Sequence, residues 1–216
     1  MTGNAPGRSV RLLANRRYLI RVGLALAALG LLALIALNGL QTHTTLGLLT
    51  CVVAFVALDR LVDPLLDRLI FREQQAARGA RAEEIVGAIL NRLPNNRKVL
   101  HDVTTNCGNI DHLVTRNDGV MFLIETKSHR GRVTIERGEL RLNRRPFEKD
   151  ILKQTQGNVY WLRDYLKKHF GIEPWIHAAI VFTNARVPRH CELQNVHVIN
   201  VTYLERWIAR QPGANR

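Results

Sequence analysis

Residues 109–131 read NIDHLVTRNDGVMFLIETKSHRG, and the register of the turn inside this stretch decides the fold. Two apolar, β-branched runs flank Asn117-Asp118-Gly119, the composition of a hairpin. Charged groups sit where a sheet interior is expected: Asp111 opens one run, and Glu125 and Lys127 close the other. Buried charges are costly unless they are paired or put to use. Alternate residues of a strand share a face, so Glu125 and Lys127 point one way and Thr126 the other. A three-residue loop with Gly119 in the left-handed region pairs 116 with 120 and sets Asp111 opposite Glu125. A two-residue loop would reverse the parity and send Asp111 to the far face. The Asn-Asp-Gly composition favours the first register.

In that register two carboxylates and an ammonium converge at one end of a sheet. Carboxylates a few ångströms apart repel, and their pKa values rise unless a cation lies between them. Lys127 neutralises one of them. A hard divalent ion, Mg²⁺ or Mn²⁺, suits such a pair, because Mg²⁺ takes one or two carboxylates together with water and phosphate oxygens. Such an ion acidifies a bound water, which Lys127 would help hold or deprotonate for attack on a phosphodiester. The plainer alternative is a salt-bridged strand end, with Asp111 serving only the Gly-Asn-Ile-Asp turn.

Around this hairpin the pattern is that of an α/β domain. ARAEEIVGAILNRLP (80–94) carries an apolar helical stripe that Pro94 ends, with Glu83 and Glu84 in its first turn. RKVLHDVT (97–104) reads as a strand. GRVTIERGELRLN reads as a second, more polar hairpin turning at Arg137-Gly138. From about Lys149 to Phe170 runs an amphipathic helix that Gly171 is placed to end. WIHAAIVFTN (175–184) is apolar enough for an inner strand, VHVINV is a last strand, and Thr202 with Glu205 has the form of a capping box before a final helix. The expected fold is a three-layer α/β domain over 79–210, with a mixed, mainly antiparallel central sheet and a short tail at 211–216. His112 falls on the face opposite Asp111 and reads as a packed strand histidine. His129 reads as an exposed loop residue within reach of a phosphate. Tyr160, Trp161 and Tyr165 on the long helix are candidates to stack on bases, although aromatic residues on an amphipathic helix more often serve the core.

The first 78 residues have a different composition. VGLALAALGLLALIAL (22–37) contains no charge, and with Asn-Gly-Leu it approaches the ~20 residues of a membrane-spanning helix. LGLLTCVVAFVAL (46–58) is shorter and reads as the return leg. The connection NGLQTHTT carries no Lys or Arg. Arg8, Arg11, Arg16, Arg17 and Arg21 precede the first run, and Arg60, Arg68 and Arg72 follow the second. The expectation is a basic tail (1–21), a transmembrane hairpin (22–60) and a helical linker (61–78), with both termini cytoplasmic at a multi-pass inner membrane. A cleaved signal peptide fits less well, because a second apolar run follows at once. Cys51, Cys107 and Cys191 form no C-x-x-C pair, which suits reduced thiols; a zinc site of Cys107, Cys191 and His190 has no support from spacing. The formal net charge is +13, and residues 127–153 alone hold nine Lys or Arg against four acids. Arg130, Arg132, Arg141, Arg144, Arg145 and Lys153 are therefore candidate phosphate contacts, although attraction to anionic lipid headgroups gives the same signal.

GARAEEIV, VLHDVTTNCGNIDHLVTRNDGVMFLIETKSHRGRVTI and RRPFEKDILKQTQGNVYWLRDYL together resemble the nuclease-related domain (NERD) family over about residues 78–185. That family lies within the PD-(D/E)xK, restriction-endonuclease-like superfamily. The resemblance implies Asp111, Glu125 and Lys127 as the metal-and-catalysis triad, with Asp111, Glu125 and Thr126 as the metal-ligating positions. It also implies Glu83 as a supporting acid and Gln154 as a further group of the active site. Ile110 stands where the superfamily has proline, and Ala82 where a glycine is usual before the helix acid, which leaves Glu83 against Glu84 open. The expected function is a membrane-anchored, cytoplasm-facing nuclease dependent on Mg²⁺ or Mn²⁺, acting on nucleic acid with DNA as the expected form. The alternatives are a nucleic-acid-binding module without catalysis and a membrane scaffold on the same fold.

Overall fold

The computed structural model describes residues 45–94, 97–106, 108–188 and 191–212, together with single helical positions between 19 and 37. The chain divides into two compact units, Val10–Ala77 and one that contains Arg78–Arg216. Helix α1, Thr45–Asn91, is a single element of 47 residues. No break separates the return leg, the connector and the helix expected to begin at Gly79. Pro64 and Gly79 lie inside it, because their helix penalties of about 3 and 1 kcal/mol are local and a long helix absorbs them. Among the described residues no helix is long and apolar enough to cross a membrane. Most of the first expected span, 22–40, lies outside the described residues.

The second unit is built on one mixed sheet. Strands β1 (Arg97–Thr105), β2 (Gly108–Arg116) and β3 (Met121–Glu136) form an antiparallel meander. Beside β3 lies β6 (Ile176–Arg186), parallel to it, then β8 (Val196–Asn200), parallel again, and finally the antiparallel edge strand β7 (Cys191–Leu193). The order is β1-β2-β3-β6-β8-β7. Past Arg132, the end of β3 (133–136) pairs with β4 (Glu139–Leu142), which pairs with β5 (Arg145–Pro146). The step from β3 to the parallel β6 needs a crossover, supplied by α2 (Ile151–Phe170). Asp150 caps α2 by accepting from the Lys153 amide at 2.9 Å, and Gly171, left-handed at φ 66°, ends it.

The two faces of the sheet bury different sets. Val114, Phe122, Ile124, Ala179 and Val181 pack against Val86 and Leu90 of α1 and against Leu204, Trp207 and Ile208 of α3 (Leu204–Arg210). On the other face Leu113 and Leu123 meet Leu162 and Leu166 of α2, while Ile180, Phe182 and Val198 pack near its first turn around Ile151 and Leu152. Three layers result, and each large apolar side chain taken fully out of water contributes about 1.5–3 kcal/mol. One local expectation fails. The Thr202–Glu205 capping box does not form, because the Asn200 carboxamide accepts from both the Thr202 amide (3.0 Å) and the Thr202 hydroxyl (2.8 Å). Residues Val201–Tyr203 are accordingly a 3₁₀ turn, and α3 starts at Leu204 without a side-chain cap bond.

Candidate active site

The β2–β3 turn has the three-residue form. The Arg116 amide donates to the Val120 carbonyl at 2.9 Å, Gly119 has φ 83°, and Thr115 pairs with Met121. The β2–β3 ladder ends at the His112↔Ile124 pair, so the next residues of the same register are Asp111 and Glu125. There a side chain takes over from the backbone: Asp111 Oδ2 accepts from the Thr126 amide at 2.6 Å. Glu125, 2% exposed, points to the α2 face with Lys127. Lys127 Nζ donates to Glu125 Oε1 at 2.6 Å, and Gln154 Nε2 donates to the same oxygen at 3.3 Å from the first turn of α2.

Electrostatics join the remaining acid to this group. Burial pushes the Asp111 carboxyl well above its usual range, and the charges of Glu125 and Glu83 push it further; Lys127 and the Thr126 amide oppose them. Glu83, half-buried on α1, is thus the acid of the Glu83/Glu84 pair whose charge Asp111 feels. Burial works against the Lys127 ammonium, but Glu125, Asp111 and Glu83 outweigh it and raise its pKa. Lys127 is therefore held as a charged donor to Glu125.

The structure brings Asp111, Glu125, Lys127, Gln154 and, through its charge, Glu83 to one place. Thr126 takes part through its backbone only. Its side chain lies on the opposite face, with a buried hydroxyl that has no hydrogen-bond partner, so the hydroxyl is not positioned as a metal ligand beside Glu125. Among the described residues, no three or more His, Cys, Asp or Glu form a ready metal cluster. The donor set still fits a hard cation. The buried Glu125 Oε2 has no hydrogen-bond partner, and one ammonium faces three carboxylates.

Several groups at the site carry no motif that sequence reasoning uses. Asn158, one turn beyond Gln154 and fully buried, donates to the Asn109 carbonyl at 3.2 Å and lies 3.4 Å from the Thr105 hydroxyl, which donates to it. Asn109 in turn donates to Asp102 Oδ1 at 2.6 Å. Asp102 sits in β1 at φ 51°, in the position that the β1–β2 register sets opposite Asp111. An asparagine at a core position of α2 was the one legible sign of this network. On the opposite face, His112 is wholly buried, with its Nδ1 2.8 Å from His101 Nδ1. Burial and the neighbouring His101 lower its pKa to about 3.

The candidate phosphate contacts separate into two groups. Arg130, Arg132, Arg144, Arg145 and Lys153 are exposed. Arg141 is engaged by Glu139 (3.1 Å) and Glu136 (3.8 Å), and its charge is largely spent within the hairpin. The hairpin is aimed by a kink. The β3–β6 register shifts between Lys127 and Arg130, and Gly131 follows at φ 125° with the Asn143 carboxamide where a Cβ would stand. Asn143 holds the kink by accepting from the Arg132 amide (2.9 Å) and donating its own amide to the Arg132 carbonyl (2.8 Å). His129 is exposed, as expected, but lies within β3 and not in a loop, with its ring edge-on to Phe147 at 5.2 Å. Of the cysteines and histidine considered for zinc, Cys107 and His190 lie outside the described residues, and Cys191 is a buried free thiol.

Residues 78–183 match the family model described as nuclease-related domain. Among solved structures, the chain is similar to the crystal structure of a repair endonuclease from Pyrococcus abyssi, at 13% identity and a TM-score of 0.30, over 53% of this chain and 44% of that one. The chain thus spans less than half the length of that protein. No curated protein matches the chain.

Proposed function

We propose, from the match of residues 78–183 to the nuclease-related domain, that the chain is a metal-dependent nuclease that hydrolyses phosphodiester bonds of nucleic acid, with DNA the expected form. The observation that carries the reading is the convergence of Asp111, Glu125 and Lys127 on one sheet end, with a buried Glu125 oxygen left without a partner. A module that only binds polyanions has no use for clustered acids facing its ligand.

Asp111 and Glu125, with the backbone of Thr126, are the groups that would hold Mg²⁺ or Mn²⁺. When bound, the ion lowers the pKa of a water and offsets charge on the phosphoryl oxygens. The chain's own residues do the rest. Gln154 and Lys127 share Glu125 Oε1 and fix that carboxylate's orientation. The Thr126 amide fixes Asp111. Lys127, held protonated, supplies positive charge and hydrogen bonds to an attacking water or a non-bridging oxygen. Glu83 adds negative charge that favours a cation at this point. The exposed Arg130, Arg132, Arg144, Arg145 and Lys153 would draw in and hold the phosphate backbone.

Membrane anchoring through 22–40 and about 43–60, with both termini cytoplasmic, is part of the same proposal; it rests on the uncharged run 22–37 and on five arginines before it against none in the loop. Reporter fusions at the loop and at Arg216 test it, and a reporter at 216 active only on the outer side overturns it.

The decisive assay incubates the full chain with single- and double-stranded DNA and RNA and Mg²⁺ or Mn²⁺, beside Glu125→Ala. Cleavage should appear with wild type and drop at least about 100-fold in the variant, as for other removed transition-state contacts. Cleavage of equal rate in Glu125→Ala would reject the assignment. Arg144→Ala with Arg145→Ala should weaken binding across sequences and flatten the salt dependence by about one unit per lost contact.

A further inference from the structure

Helix α2 carries two neighbouring ridges. Gln154, Asn158, Leu162 and Leu166 face the sheet, and the last three are buried. Beside them, at strict four-residue spacing, run Lys153, Gly157, Trp161, Tyr165 and His169. On this second ridge the aromatic rings form a column. Trp161 and Tyr165 stack at 5.2 Å between centroids with 24° between planes, and Tyr165 lies 4.4 Å from His169. Trp161 and Tyr165 are half-buried, Trp161 against the cluster that holds Leu162 and Leu166, and His169 is exposed, so the column runs from the rim of the core out along the surface.

The end of the column nearest Gln154 is vacant. The next ridge position is Gly157, and a Cβ added there would meet nothing within 4 Å. Glycine inside a helix costs about 1 kcal/mol relative to alanine, and no close packing against Gly157 explains its presence. Beyond the gap stands the exposed Lys153, a cation one turn further on. Gly157 is three residues, about 4.5 Å of helix rise, from Gln154. The ridge thus offers an aromatic face, an open slot and a cation, in that order, running toward the acids.

We propose that this ridge seats the bases of a single-stranded stretch of nucleic acid, one base stacking on Trp161 over Gly157 while Lys153 contacts the adjoining phosphate. The inference rests on the nuclease reading and narrows its substrate class. A flat ring can take an unpaired base, whereas a duplex keeps its base faces stacked inward and offers none to Trp161. The charge is complementary: Lys153 and the exposed hairpin arginines face a polyanion.

The test measures binding by the full chain in EDTA, where no cutting occurs, using labelled single-stranded oligothymidylate and a blunt duplex of equal length. Trp161→Ala should weaken single-strand binding about tenfold. Duplex binding should change less than twofold, and the salt slope should stay the same because no cation is lost. Gly157→Leu, which fills the slot, should reproduce the loss with no lower melting temperature, since it removes a helix glycine. A strand with abasic positions should bind wild type as weakly as the normal strand binds Trp161→Ala. Single-strand affinity within twofold of wild type in both variants, or equal losses on single strand and duplex, overturns the proposal. Those outcomes leave the nuclease reading standing. A wild type that binds neither nucleic acid overturns this proposal too, and leaves the nuclease reading to the cleavage assay with metal.

Discussion

Asp111 is the residue on which the site turns, because it is both placed by a backbone amide and repelled by its neighbours. Asp111→Asn keeps an oxygen to accept from the Thr126 amide and removes the repulsion from Glu125 and Glu83. The metal-free variant should therefore melt higher than wild type at pH 7, by about 2–4 °C for each kcal/mol gained in a chain of this size, while cleavage and metal binding fall. A lower melting temperature, followed by circular dichroism, would show that Asp111 is held for stability. His112 gives a second prediction. Its pKa of about 3 in the fold lies below the ordinary 6.5, so the unfolded chain binds the proton first. Its contribution to stability is intact above pH 6.5 and is lost as pH falls toward 3. His112→Leu leaves His101 without its Nδ1 partner and should lower stability at pH 7 by about 1–3 kcal/mol. It should also make the decline below pH 6.5 shallower by up to about 1.4 kcal/mol per pH unit. Denaturant melts at pH 7, 6, 5 and 4 check both numbers.

At the scale of elements, legibility followed periodicity and turn chemistry. The Asn117-Asp118-Gly119 loop gave the register that sets Asp111 opposite Glu125, and Arg137-Gly138 turns β3 into β4 with both residues at positive φ, as a two-residue loop requires. The continuous α1 was not legible, because Pro64 and Gly79 are punctuation in a sequence and only small local costs in a long helix. The Thr202–Glu205 box misled because Asn200, just upstream, competes for the same amide. The β3 kink was hidden for another reason: the need for Gly131 comes from Asn143, twelve residues away, whose position depends on the hairpin being formed. Gly131→Ala should accordingly cost about 2 kcal/mol or more in urea unfolding, from a strained φ plus collision with the Asn143 carboxamide. Gly138→Ala, also at positive φ but with open space around it, should cost only about 1 kcal/mol. Equal losses would mean that the Asn143 contact does not define the kink.

Over the whole second unit, the groups of the site come from a short span of chain. Asp111, Glu125, Lys127 and Gln154 lie on β2, β3 and the crossover helix, and Glu83 lies on α1, so every one of them precedes β6. The sheet that supports them does not. β3 is flanked by β2 on one side and by β6 on the other, paired to β6 from Met121 to Lys127 and again, after the register shift, from Arg130 to Arg132. A fragment ending at Gly171 would carry every proposed catalytic side chain and yet leave the second edge of β3 bare, with Phe122 and Ile124 stripped of the cover that Leu204, Trp207 and Ile208 give them. Such an open, apolar edge templates pairing between copies. The fragment should therefore sediment as aggregates where the full chain does not. The smallest piece able to hold the proposed chemistry and the smallest piece able to keep its core covered are different pieces, and any attempt to excise the second unit should cut after α3, whose Leu204, Trp207 and Ile208 close the sheet.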